Sequence, residues 1–376
     1  MKKYFAFIFV LLCCLLVGFG CGKRQGSSEQ SLGSDSIRYA QGFHITRFKE
    51  YIKVELRDPW DSTRLLHRYL LVERGKPVPK DLPAGTVVQI PIRNIVVYTS
   101  PHAAIVDLLG ESHRIIGVCE SRYMKIPSIQ EGIRKGTIVD MGESTSPNVE
   151  MMISHKAEAV IASPFENGSY GPVEKMGIPI IEAADYMEST PLGRAEWIRL
   201  YGLLLGKEQM ADSIFHQTEK HYLAMKVLAA NVKTKPTVFA EKKFGDAWFI
   251  AGGDSYMAQF FKDAGASYVF SYLPGSGSTA MQYENVYEKA VHADFWLIKY
   301  DDEKEMTYDG LRAEYKPYAN FDAFAKKHIY GCNTMYNHYY EEFPIHPDRL
   351  LQDLILIFHP DLIPGAKMSY YKPVSE

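Results

Sequence analysis

Once its first residues are set aside, the chain is short of cysteine. Five are present in 376 residues, but Cys13, Cys14 and Cys21 crowd the N-terminus. That leaves Cys119 and Cys332, over two hundred residues apart and with no Cys-x-x-Cys pair. A disulfide framework and a zinc ribbon are thereby excluded, and two buried free thiols are expected. Enzyme signatures are missing too. There is no His-Glu-x-x-His, no Gly-x-Ser-x-Gly, no Walker A sequence and no Gly-x-Gly-x-x-Gly. The single Ser-x-x-Lys, Ser369–Lys372, sits in the C-terminal tail without partner motifs. Charge of one sign is also lacking: 42 basic and 45 acidic side chains give a net charge of −3. Nucleic-acid binding, which needs a basic patch or stripe, is not expected. After the N-terminus no apolar run is long enough to span a bilayer, and no short-period repeat is visible.

What is present begins at the N-terminus. Residues 1–21, MKKYFAFIFVLLCCLLVGFGC, set two lysines ahead of an apolar run from about Phe5 to Phe19. A charged start and a short apolar core form an export signal. Gly18-Phe19-Gly20-Cys21 resembles a bacterial lipobox, with Gly18 where Leu is usual, so Cys21 is the expected lipidation site. The Gly/Ser-rich stretch from 22 to 35 reads as a flexible tether. The expected location is the periplasm, with the membrane reached through the lipid alone.

Beyond the tether the pattern changes twice. Residues 36–93 hold apolar or alternating segments such as Tyr51–Leu56 and Arg68–Val72, separated by Asp58-Pro59 and Gly75–Pro79, and predict a small N-terminal β element. From 94 to 190 short apolar strands (Ile95–Tyr98, Ile115–Val118, Thr137–Val139, Ala159–Ile161, Ile178–Ile181) alternate with helical segments, as in a parallel α/β lobe. Residues 191–234 carry no strand signal. One helix is expected from Pro191 to Leu205 with Gly206 as its stop, and a second over Lys207–Ala230, roughly 36 Å long at 1.5 Å per residue. From 235 to 376 strand and helix alternate again, with strands at Thr237–Phe239, Trp248–Ile250, Phe295–Lys299 and His328–Tyr330. The fold class is α/β: two β-α lobes joined by one long helix, with a small N-terminal β element. Ligands of open parallel sheets gather at the carboxyl ends of the strands.

Aromatic residues are abundant, at 13% with 25 tyrosines. The densest cluster is Asn333–Phe343, NTMYNHYYEEF, which groups Tyr336, His338, Tyr339 and Tyr340. Phenol and imidazole are suitable iron ligands, and aromatic faces stack on flat macrocycles. The twelve histidines show no tight metal spacing, so no metal site within the protein is expected.

Several segments, in order, resemble the periplasmic binding proteins for iron chelates and vitamin B12, the class with a single long inter-lobe helix. They are Ser146-Pro147-Asn148-Val149-Glu150 followed by Lys156–Ile161, Gly177–Ile181, Leu203–Lys207, Gly252-Gly253-Asp254-Ser255 with Ala264-Gly265-Ala266, and Tyr283-Glu284-Asn285-Val286 with Ala293-Asp294. Pro347–Leu354 and Phe358-His359-Pro360 resemble the C-terminal helix of Bacteroides-group members. Ala157-Glu158 departs from the family's usual Pro-Asp. The resemblance covers roughly 94–364 and implies a monomer that delivers an iron chelate (siderophore, ferric citrate or haem) or a corrinoid to an ABC permease dimer, with no catalysis and no cofactor. It implies that Glu150 and Glu284 pair with permease arginines, a bidentate charge-assisted contact. By position, the cleft candidates are Pro101, His102, Arg122, Tyr123, Phe165, Tyr170, Trp248, Tyr256, Tyr272, Tyr300, Tyr336, His338, Tyr339 and Tyr340. Arg122 suits a carboxylate or catecholate; Trp248 and the tyrosines suit a corrin or porphyrin.

Two other classes compete. An exported metal-dependent hydrolase would need converging acids, bases or metal ligands. A surface adhesin would have no cleft.

Overall fold

A computed structural model describes residues 31–376; Cys21 and the signal segment lie outside the described residues. Ile52–Arg57 (β3) and Leu65–Glu73 (β4) pair antiparallel, Phe43–Arg47 (β2) pairs with β3, and Thr86–Ile90 (β5) runs parallel to β4. The edge is Gly33–Ser34 (β1), which pairs with Thr46 and Arg47. The last residues of the segment read as a tether thus belong to this sheet, fixed by Asp35, whose carboxylate accepts from Arg47 Nε at 2.7 Å. The sheet docks on the first lobe through Tyr69, whose hydroxyl donates to the Ile180 carbonyl at 2.7 Å and accepts from the Glu182 N–H at 2.9 Å.

The first lobe is a parallel sheet of Ile95–Val97 (β6), Ile115–Val118 (β7), Val139–Asp140 (β8), Ala159–Ala162 (β9) and Ile180–Glu182 (β10), in the order β10-β9-β6-β7-β8. Its central strands, β6 and β9, are buried along their whole length, as expected where helices cover both faces. Ser100–Leu108 (α1), Pro127–Lys135 (α2) and Val149–Ser154 (α3) follow strands β6, β7 and β8.

The connector departs from expectation at one point. Pro191–Glu196 (α4) and Ile198–Leu205 (α5) are separate helices because the chain tightens at Trp197, whose N–H bonds the Arg194 carbonyl three residues back. The Trp197 indole donates to Glu188 at 2.8 Å, and a Cβ on Gly42 would lie 2.7 Å from the same ring. Gly206 ends α5 with φ of 70°, a conformation that favours glycine. Glu208–Ala230 (α6) then spans 23 residues, about 34 Å. Ala211 and Phe215 sit in the first lobe's core, whereas Tyr222 and Ala229 sit in the second's, so one helix is anchored in both.

The second lobe's sheet takes Thr237–Ala240 (β11), Ser267–Tyr268 (β14), Phe295–Tyr300 (β16) and Ile329–Asn333 (β17), all parallel, with Lys372–Pro373 (β18) antiparallel at the edge. Trp248 belongs elsewhere. Ala247–Ala251 (β13) pairs antiparallel with Lys243–Phe244 (β12) and Ser278–Met281 (β15) in a separate three-stranded sheet. Gly252 and Gly253 follow it because nothing larger fits: a Cβ there would lie 2.1 Å from the Gly275 carbonyl oxygen and 2.0 Å from that of Ser271. Tyr256–Asp263 (α7), Tyr283–Ala290 (α8), Tyr308–Glu314 (α9), Asp322–Ala325 (α10), Tyr339–Glu342 (α11) and Pro347–Phe358 (α12) complete the lobe. Among the described residues no helix is long and apolar enough to cross a membrane.

Both expected thiols are buried and free. Burial pushes each up to about 12. Since thiolate is the reactive form, Cys119 and Cys332 should stay unmodified by iodoacetamide at pH 7.5 in the folded protein and react after unfolding in urea. Peptide mass spectrometry reads this; rapid native labelling of either would contradict their packing.

Candidate ligand-binding site

The two parallel sheets point their carboxyl ends at each other. Between them lies a cavity of about 440 Å³. The first lobe supplies Tyr98–Pro101 after β6, with Cys119, Glu120 and Tyr123–Lys125 after β7; the second supplies Asp301 after β16, Thr334 after β17, and Tyr340 and Glu341 of α11. Each wall therefore hangs from strand ends fixed by the sheets. A smaller cavity of about 250 Å³ adjoins through Glu341 and includes Asp107 of α1, His338 and Arg349. A third, about 910 Å³, opens over the second lobe beside Lys299, Tyr300 and Phe249, and shares Asp301 and Tyr340 with the first.

Lys125 bridges the cleft. Its ammonium donates to the Thr334 carbonyl at 2.7 Å and lies 3.6 Å from an Asp301 oxygen. Glu120 holds a left-handed backbone with φ of 52°, which costs a residue bearing a side chain about 1–2 kcal/mol. That conformation aims its carboxylate at the N–H and hydroxyl of Ser144. Lys299 is partly buried, which by itself would lower its ammonium; the ion pair with Glu241 outweighs this and holds it well above its ordinary value.

A second polar chain crosses between the lobes behind the cleft. His102 Nε2 lies 3.1 Å from Asp185, and Asp185 accepts from Arg194 Nε at 3.0 Å. The Arg194 guanidinium then lies over the rings of Phe343 and Tyr256 in the second lobe, at 4.8 and 5.3 Å. Burial alone would raise the Asp185 carboxyl, but Arg194 and His102 outweigh it and hold it below its ordinary value.

Of the residues singled out from sequence, Pro101, Tyr123 and Tyr340 come together on the main cavity, and His338 on the adjoining one. Tyr300 lines the cavity over the second lobe and donates to Glu305 at 2.6 Å. Three expectations are corrected. Trp248 is fully buried, packed at tilted and edge-on angles among Phe239, Trp296, Tyr318 and Phe321, with its indole N–H on the Ala240 carbonyl. Tyr339 is buried against Phe343, and His102 is sealed in the polar chain. Tyr170 is bonded to Glu182 within the first lobe, and Tyr256 is packed on Phe343 within the second. Arg122, Phe165, Tyr272 and Tyr336 are exposed outside the cavity walls. Sequence reading missed Tyr98, Glu120, Lys125, Asp301, Thr334 and Glu341, although each is at or beside the end of a strand or in the Asn333–Phe343 cluster. Glu150 and Glu284 are exposed in the first turns of α3 and α8, and neither has an ion-pair partner among the described residues. Also among the described residues, no group of three or more His, Cys, Asp or Glu side chains is placed to hold a metal ion.

Paired α/β lobes, one long connecting helix and a cavity where strand ends converge define a two-lobed binding protein. The chain belongs to the periplasmic binding protein family, whose profile matches residues 95–335, and a substrate-binding role comes with that membership. It is similar to two uncharacterized lipoproteins of Methanocaldococcus jannaschii. One is 24% identical over 360 residues, covering 89% of this chain and 84% of the relative; the other is 24% identical over 394 residues, covering 99% of each. Among solved structures, a periplasmic heme-binding protein from Pseudomonas aeruginosa aligns with a TM-score of 0.57 at 16% identity, over 76% of this chain and 99% of that one. The periplasmic heme-binding protein RhuT from Roseiflexus sp. RS-1 aligns with a TM-score of 0.56 at 18% identity, over 72% and 100%. At these identities the likeness establishes the fold.

Proposed function

We propose that this is an exported protein, lipid-anchored through Cys21, that holds an iron chelate or a corrinoid between its lobes and delivers it to an ABC importer. The observation that carries the reading is the cavity of about 440 Å³ built from the strand ends of both lobes, the place where open parallel sheets take ligands. Its volume suits a chelate entering in part, and the two flanking cavities extend the available space. The anchor is supported by the Gly18–Cys21 sequence and by the lipoprotein names of the two relatives. Docking on the permease is assigned to Glu150 and Glu284, one exposed unpaired carboxylate on each lobe. The heme-binding names of two structural neighbours support a metal-chelate cargo in general.

The test is thermal unfolding of the full-length protein in detergent against ferric citrate, ferric hydroxamates, haem, cobalamin and cobinamide. A ligand at a hundred times its dissociation constant adds about 2.7 kcal/mol to stability. A shift confined to one chelate class is expected. No shift with any member would overturn the cargo assignment and leave the fold untouched.

A further inference from the structure

The cleft walls narrow the cargo further, a step that rests on the cleft being the binding site. Three carboxylates line the main cavity, those of Glu120, Asp301 and Glu341, against a single ammonium from Lys125. Lys125 is already engaged by Asp301 and the Thr334 carbonyl. Among the described residues the only hydrogen-bond donor to the Glu120 carboxylate is Ser144, and Arg122 acts on it through space without an ion pair. Glu341 is only 9% exposed and borders both inter-lobe cavities, yet among the described residues its carboxylate has no hydrogen bond and no ion pair. Its stem is packed while its carboxylate oxygens stay open and unsatisfied by the described residues, free to accept from a ligand.

Tyr98 makes a second, separate observation. It is 5% exposed, lines the same cavity, and its hydroxyl has no partner. The basic residues nearby do not reverse the balance: Arg122 lies outside the wall, 3.6 Å from Glu143, and Lys299 is paired with Glu241. We infer that the cleft selects cationic chelates, seating an ammonium or a cluster of N–H donors on Glu341, and rejects polyanionic ones such as ferric citrate, triscatecholates and dicarboxylate porphyrins. A negative ligand would meet Glu341, which has no ion pair among the described residues, together with Glu120 in a confined space, which is repulsion built into the site.

Charge is varied on a fixed chelate to test this. Ferrioxamine B carries a free ammonium, and its N-succinyl derivative carries a carboxylate on the same ferric trihydroxamate. Diaquacobinamide and cobyrinic acid form the same contrast among corrins. Titration calorimetry of the full-length protein in detergent should give tighter binding of the cationic member in at least one pair, by roughly tenfold or more. Glu341→Gln, which keeps the shape and removes the charge, should shrink that preference by about tenfold. Retained binding of the N-acetyl ferrioxamine or of cobalamin, both without the extra charge, would show that the variant is folded. Equal or tighter binding of the anionic members, or a preference that Glu341→Gln leaves unmoved, overturns the inference while leaving the cleft as the binding site. Failure of every probe, of either charge, overturns the cleft reading and the inference with it.

Discussion

Replacing Arg194 by Met should cost about 3–5 kcal/mol of folding stability, the range for removing one partner of a buried ion pair. The guanidinium is 8% exposed and Asp185 1% exposed, so solvent cannot replace the lost charge. Among the described residues His102 would remain as the only hydrogen-bond partner of the Asp185 side chain, and the stacking on Phe343 and Tyr256 would go with the guanidinium. The pH dependence should change with it. In the wild type the Asp185 carboxyl is held below its ordinary value, so its contribution is present above the unfolded carboxyl's pKa and fades as pH falls through the folded one. In Arg194→Met, burial is opposed by His102 alone, so the folded carboxyl lies higher than in the wild type and the charged form is less favoured. The loss relative to wild type should therefore widen from pH 4 to pH 7. Pairing the change with Asp185→Asn should recover part of the loss, because the uncompensated charge is then gone. Denaturant titrations of the wild type and the two variants read all of this. A loss under about 1 kcal/mol at pH 7 would show that the lobes do not depend on this chain of contacts.

The second large effect concerns transport. Reversing both exposed acids, Glu150→Arg with Glu284→Arg, should abolish import of the cargo while leaving its affinity for the isolated protein within about twofold. Each acid lies in the first turn of a helix and is unpaired among the described residues, so little folding stability is at stake. Either single reversal should reduce uptake less than the pair, since the remaining lobe still docks. Uptake by cells carrying the double variant, set beside calorimetry on the purified protein, separates the two properties. Undiminished uptake would assign docking to another surface.

The parallel strands of the first lobe were legible because runs such as Ala159–Ile161 are apolar throughout, as doubly covered strands must be. The long helix was legible because Ala211, Phe215, Tyr222 and Ala229 recur at helical spacing and are all buried. Trp248-Phe249-Ile250 misled for the same reason that the first lobe did not. The run reads as a buried parallel strand, but Phe249 is 46% exposed and the strand alternates in a small antiparallel sheet. Strand β18 was invisible because two residues of a tail carry no periodicity. The break at Trp197 depends on contacts with Glu188 and Gly42, both remote in sequence.

The cleft was legible in position and only partly in membership. Strand ends could be located, and Tyr123 and Tyr340 came with them. Weight placed on aromatic residues favoured Trp248, Tyr339 and Tyr256, which the second lobe's core claims. The polar wall residues Glu120, Lys125, Asp301 and Glu341 look like ordinary surface charges until the two lobes are brought face to face. Nothing local in the sequence distinguishes an acid that meets solvent from one that meets the opposite lobe.

The central claim is that a chelate sits between the lobes, and removing one aromatic wall from each side tests it most directly. The affinity of the chelate that raises the melting temperature should be measured by calorimetry for the wild type and for Tyr123→Ala with Tyr340→Ala. Both side chains line the cavity and are about half exposed, so the fold should tolerate their loss. The account predicts binding weakened by at least about tenfold with an unchanged melting temperature in the absence of ligand. Unchanged affinity in the double variant would place the ligand elsewhere and contradict the account.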